Sequence, residues 1–255
     1  MSQKPSDKLK PMQMRKTLVL FTKCFAVIVI AYMIYYVSNY SSCPQNPDLQ
    51  LKQKGWTRLL KYEDSNAQLS KLPVGSNQVI FMGDSITEGM NFNTYFPNKP
   101  YVNRGISAQT TPQMLVRFRS DVINLHPNVV IILAGINDLV GVKEDDSVES
   151  IAGHIKSMSE LAQAHRIKVI LASVLPVCGD IAKRRLPSKI LEMNAILKSY
   201  AAENGILYLD YFSAFVGNDG LLKSEFTHDC LHMNQAGYNI MAPLAEAIIQ
   251  KVLAK

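Results

Sequence analysis

Short apolar runs recur along the chain from residue 79 onward, and helical patterns fill the gaps between them. Val79-Ile80-Phe81-Met82 is the first run. It is too short for a free-standing helix and has no polar alternation, so it reads as a strand buried on both faces. Residues 101–104, 129–134, 168–172 and 206–209 read the same way, and 129–134 is the strongest. Helices are predicted from 110 to 125, with Thr111 before Pro112 as its cap, and from 147 to 165. Two more are predicted up to Glu203 and from 235 to 253. Strands alternating with helices imply a parallel sheet covered on both faces, a three-layer α/β/α class. Residues 211–233 show no period and read as irregular.

Before the first strand the pattern changes twice. Residues 17–37 form an apolar run broken only by Lys23. About 20 apolar residues can cross a bilayer as a helix. Lys23 lies near the amino-terminal end, and Tyr32, Tyr35 and Tyr36 gather at the other, as interfacial residues do. The expected organisation is a basic cytoplasmic leader (1–16), a transmembrane signal-anchor (17–37), a linker (38–54) and a globular domain (55–255). Cleavage after a signal peptide is a second reading of the run. Lipidation is a third, because Ser41-Ser42-Cys43 resembles the end of a lipobox, although Tyr40 stands where a branched aliphatic residue is expected. Within the domain, Trp56, Leu59, Leu60, Ala67 and Leu69 suggest an amphipathic helix over 55–72 that packs ahead of the first strand.

Charge sharpens this picture. The formal charge is +6, but residues 1–37 hold six basic side chains against Asp7 alone. The rest is nearly neutral, so the domain carries no basic footprint for nucleic acid. Positive charge ahead of the span keeps the amino terminus cytoplasmic and exports the domain, to the periplasm or beyond the cytoplasm. The four cysteines, Cys24, Cys43, Cys178 and Cys230, form no CxxC and no Cys/His cluster, so no zinc site is expected. Pairing of Cys178 with Cys230 is left open.

Ser85 follows the first strand at the turn Gly83-Asp84-Ser85. This is the carboxyl edge of the sheet, where open α/β folds bind ligands. A serine nucleophile needs a base, a group orienting the base, and donors for an oxyanion. Five histidines are present. His126 lies in a helix-to-strand connection, and His154 and His165 in a helix far from this edge. His228 and His232 follow the fifth strand. His232 is the better base, since Asp229 three residues earlier can reach its Nδ1 and leave Nε2 for Ser85. Gly105 and Asn137, at two other strand ends, are candidate oxyanion donors. The loop 176–187 begins at the same edge and carries Lys183-Arg184-Arg185, either a solvated charge run or a cationic rim for anionic substrates.

Gly83-Asp84-Ser85, Gly105, Gly135-Ile136-Asn137-Asp138 and Asp229-Cys230-Leu231-His232 resemble, in order, the four sequence blocks of the SGNH (GDSL-type) hydrolases. Asn234–Tyr238 resembles the family's closing segment, and Ile86 stands where the family's short name has Leu. The resemblance covers residues 76–253. It implies a flavodoxin-like sheet in the order 2-1-3-4-5. It also implies a triad of Ser85, His232 and Asp229, and an oxyanion hole made by Ser85, Gly105 and Asn137. The implied activity is carboxylic ester hydrolysis by two-step acyl transfer with no metal or organic cofactor, and the exported position suggests acetylated carbohydrate or lysophospholipid as substrate. Two rivals share the fold class. A non-catalytic carbohydrate-binding module would not need the nucleophile and base. A flavodoxin-like nucleotide-binding domain would need a glycine-rich phosphate loop, which the first strand lacks.

Overall fold

The structure is a computed structural model, and it describes residues 28–35, 58–71, 78–141, 147–183 and 186–254. The chain divides into two compact units, 1–46 and 47–255. In the first unit, residues 28–35 are helical and exposed. The expected span at 17–37 therefore lies mostly outside the described residues. Among those described, no helix is long and apolar enough to cross a membrane.

The second unit is built on one five-stranded parallel sheet in the order β2-β1-β3-β4-β5. The strands are β1 (Val79–Gly83), β2 (Tyr101–Gly105), β3 (Val129–Leu133), β4 (Lys168–Ala172) and β5 (Leu207–Leu209). All five follow the apolar runs. β1 and β3 are central and buried at every position, which is why they show no polar alternation. β2 and β5 form the edges, and each is half-buried where it begins.

The helices are α1 (Glu63–Leu69), α2 (Ser85–Glu88), α3 (Phe92–Tyr95), α4 (Thr111–Asp121), α5 (Ile136–Gly141) and α6 (Val148–Ala164), then α7 (Gly179–Ala182), α8 (Leu186–Glu203), α9 (Phe212–Phe215) and α10 (Gln235–Leu253). α4, α6 and α8 pack in succession on one layer, and α10 lies against β3 and β5 on the other. Together they enclose a continuous apolar core. The long helices begin where short polar side chains can cap them. Ser147 accepts from Ser150 N at 3.2 Å, and Asn234 accepts from Gly237 N at 3.0 Å. The cap of α4 is Thr110 rather than the expected Thr111, and Gln113 Oε1 accepts its N–H at 2.8 Å.

Two expectations change. The amphipathic helix expected over 55–72 is confined to α1, none of whose residues is buried. It docks through half-buried Leu69, which packs against the core, and through polar contacts. Buried Arg104 donates to Asn66 Oδ1 (3.0 and 2.7 Å) and to Ser65 Oγ (3.1 Å), and Asn66 donates to Asp121 Oδ1 (2.6 Å). The stretch 211–233 is not structureless either. It holds α9, a short 3-10 turn (Ser224–Phe226), and antiparallel bridges between Val216 and Leu222 and between Thr227 and Met233.

Candidate active site

The carboxyl ends of β1, β2 and β3 bring three of the predicted segments to one edge, and the loop before α10 brings the fourth. Ser85 opens α2 directly after β1. Asp84 caps that turn, accepting Ile86 N at 2.9 Å, and is buried. Its role is to brace the turn. Burial pushes its carboxyl up from 3.8 to about 7, against the pull of the Ile86 N–H and of nearby His232. The Tyr238 hydroxyl donates to Ile86 O at 2.9 Å and ties α2 to α10.

His232 stands between Ser85 and Asp229. Its Nε2 lies 2.9 Å from Ser85 Oγ, and its Nδ1 lies 2.6 Å from Asp229 Oδ2. Asp229 is fixed in turn by its other oxygen, which accepts His232 N at 2.8 Å and Leu231 N at 3.1 Å. Partial burial raises the Asp229 carboxyl, but the bonds from His232 and Leu231 outweigh it and hold it below the ordinary carboxylate value. An ionised Asp229 makes Nδ1 the protonated nitrogen and leaves Nε2 to accept from Ser85. The other histidines lie elsewhere. His154 Nδ1 meets Thr111 Oγ1 at 3.1 Å, His165 meets its own helix at Leu161 O, and His228 is exposed.

The loop carrying Asp229 and His232 is held from below. Thr227 Oγ1 donates to His232 O at 2.7 Å. Cys178 and Cys230 form a disulfide, and Cys178 N donates to Cys230 O at 3.1 Å. Cys230 lies between Asp229 and His232 and takes a left-handed backbone (φ 68°). The open question of cysteine pairing is thereby answered, and the loop after β4 becomes a brace for the base.

The oxyanion donors need a revision. Gly105 N donates to Asn103 Oδ1 at 2.8 Å, so it does not offer the free donor expected of it. Gly105 is a glycine for a different reason. A Cβ there would lie 2.1 Å from Glu88 N, because α2 crosses directly over it. Of the N–H groups that follow, Ile106 donates to Gly83 O at 3.0 Å and Ser107 to Glu88 Oε2 at 2.5 Å. Only the Ala108 N–H in this stretch has no acceptor among the described residues. Ala108 adopts φ 64°, uncommon for a residue with a Cβ. Asn137 sits beside it, since its Nδ2 donates to Gln109 O at 2.9 Å and keeps a second hydrogen. Asp138, next in sequence, turns away to accept Thr111 N (3.0 and 2.9 Å) and Thr111 Oγ1 (2.7 Å).

Nothing in the sequence pointed to the unbonded Ala108 N–H, because an alanine has no functional group to notice. It missed Asn103 too, which also donates to Thr87 O at 2.7 Å and Met90 O at 3.2 Å. Of the loop's three cations, only Lys183 is described, and it pairs with exposed Asp180; Arg184 and Arg185 lie outside the described residues. Among the described residues, no three His, Cys, Asp or Glu side chains are grouped to hold a metal ion.

Comparison with known proteins identifies the family. Residues 81–240 match the GDSL-like Lipase/Acylhydrolase family. A structure from Bacteroides fragilis NCTC 9343 is 40% identical, with a TM-score of 0.73, over 78% of this chain and 98% of that one. A GDSL-like lipase from Bacteroides thetaiotaomicron VPI-5482 is 38% identical, with a TM-score of 0.72, over 77% and 98%. The uncharacterized lipoprotein YqeF of Bacillus subtilis (strain 168) is 28% identical over 131 residues, 44% of this chain. That stretch spans about half of the relative's own length (54%).

Proposed function

This chain belongs to the GDSL-like lipase/acylhydrolase family, and from that premise we propose that it is a serine esterase using Ser85, His232 and Asp229. One observation carries the reading: a single imidazole bridges a serine hydroxyl and a carboxylate at 2.9 and 2.6 Å. His232 Nε2 takes the hydroxyl proton as Ser85 Oγ attacks the ester carbonyl, and Asp229 stabilises the imidazolium that forms. The Ser85 and Ala108 N–H groups and the free Asn137 amide hydrogen receive the oxyanion. His232 then protonates the leaving alcohol. Water repeats the sequence on the acyl-Ser85 ester and releases the acid.

The proposed substrates are acetylated carbohydrate or lysophospholipid outside the cytoplasm. The site is open, with the His232 side chain 42% and Asp229 51% exposed, which suits an ester carried on a bulky glycan or at a lipid surface. The location is inferred from residues 17–43. The apolar run, with its exposed helical stretch at 28–35, favours the anchor. The lipoprotein relative favours acylation at Cys43. Either one leaves the domain on the outer side.

Hydrolysis of p-nitrophenyl acetate tests the activity. The wild type should turn over, and Ser85→Ala should lose nearly all of it while keeping its fold. Absence of turnover in the wild type, with retained binding to acetylated glycans, would favour a carbohydrate-binding module instead.

A further inference from the structure

Glu88 closes the helical turn that Ser85 opens, and the proposed mechanism does not use it. Its carboxylate is crowded with donors. Arg58 Nη2 lies at 2.5 Å, Lys61 Nζ is in direct contact, and Ser107 gives it both its N–H and its hydroxyl. Partial burial raises the carboxyl, but the bonds from Lys61, Ser107 and Arg58 overcome this and hold it at about 2. Glu88 is therefore ionised at neutral pH. Ser107 immediately precedes Ala108.

The segment that supplies Arg58 and Lys61 grips the same loop a second time. The Tyr62 hydroxyl donates to Gly105 O at 2.5 Å, and Lys61 Nζ lies 3.5 Å from that oxygen. The segment is itself anchored a turn later, by the bonds of Arg104 to Ser65 and Asn66. Arg104 also stacks over the Tyr62 ring at 4.5 Å. Residues 105–108 are thus pinned on both sides, and the left-handed Ala108 needs such pinning. A residue with a Cβ persists there only when its surroundings over-determine it.

We propose that Glu88 is a positioning residue for the oxyanion donors, and that residues 58–62, acting through it and through the Gly105 carbonyl, form a strap completing the active site. Glu88 joins the turn bearing the Ser85 N–H to the loop bearing the Ala108 N–H, and so sets the distance between the two donors. The strap supplies the two cations that fix the carboxylate. This rests on the oxyanion reading above. A donor displaced by a fraction of an ångström weakens its hold on the oxyanion more than on the ground-state ester, so the loss falls on kcat.

The test uses the full-length chain in detergent, with p-nitrophenyl acetate as substrate and circular dichroism as the check on folding. Glu88→Gln keeps the shape but removes the charge. It should lower kcat by about tenfold or more with KM unchanged. Tyr62→Phe removes one hydroxyl and should lower kcat by a smaller factor in the same way. Arg58→Ala with Lys61→Ala should also lower kcat, and adding Glu88→Gln to that pair should cost little more, because all three act through one contact. A role in folding alone would move the thermal midpoint and leave the kcat of the folded protein intact. If Glu88→Gln does not fold, Tyr62→Phe decides. Loss of turnover in Ser85→Ala with unchanged kcat in the folded Glu88→Gln and Tyr62→Phe variants would overturn this inference alone. Full turnover in Ser85→Ala would overturn the esterase reading and this inference with it.

Discussion

Gly105 and Ala108 sit three positions apart in one loop and have opposite requirements. Gly105→Ala would drive a Cβ to 2.1 Å from the Glu88 backbone, which cannot yield as a flexible side chain would. It should destabilise the protein by about 3 kcal/mol or more and abolish turnover. Ala108→Gly relieves a left-handed backbone (φ 64°) and keeps the N–H, so stability should be unchanged or rise by up to about 1 kcal/mol, with turnover retained. Urea unfolding and p-nitrophenyl acetate turnover check both. Asp84 makes a pH prediction. Its folded pKa of about 7 lies above its ordinary 3.8, so in this window the folded chain binds a proton that the unfolded chain has released. Stability from this group is full below about pH 4 and lost as pH rises through about 7. Asp84→Asn should flatten the urea midpoint across that window, and an unchanged slope would contradict the assignment. The meeting of Ser85, Asp229 and His232 was legible in the sequence because their side chains carry polar groups and the pattern brought them to one edge of the sheet. The Gly105 expectation erred because a sequence shows which residue lacks a side chain, not which N–H is already bonded. Asn103 Oδ1 had taken that donor.

The elements that position the base are loops, and the disulfide is what makes one of them rigid. Cys178 opens α7 after β4, and Cys230 sits inside the Asp229–His232 turn, 52 residues away in sequence. Replacing both cysteines with serine should cost about 2–4 kcal/mol of stability and reduce kcat, because the imidazole is then held by hydrogen bonds alone. Dithiothreitol should reproduce the loss in the wild type and do nothing further to the double variant. Equal turnover in oxidised and reduced protein would show that Thr227 and the bonds within the turn suffice. The sheet and the long helices were legible because burial imposes a period on the sequence. The stretch 211–233 was not, because its order comes from distant partners: the Val216–Leu222 and Thr227–Met233 bridges and the disulfide. α1 was overextended for the related reason that, beside the single apolar contact of Leu69, polar bonds to Arg104 and Asp121 hold it.

In the whole molecule, the proposed catalytic unit follows a removable amino-terminal segment but includes residues 58–71. A chain beginning at Asp48 should be soluble and as active as the full chain. One beginning at Leu72 should keep the sheet but lose most of its kcat, since the strap onto Glu88 and Gly105 is gone. Equal activity of the two truncated chains would remove the strap from the account, and aggregation of the first would place the boundary elsewhere. If Ser85 is a nucleophile activated by His232, it is open to covalent capture. The full-length chain is incubated with a fluorophosphonate, and its intact mass and peptides are measured. The account predicts one adduct per chain, located on Ser85, absent in Ser85→Ala and formed far more slowly in His232→Ala than in His228→Ala. An adduct on another residue, or equal labelling of Ser85→Ala and the wild type, would contradict it.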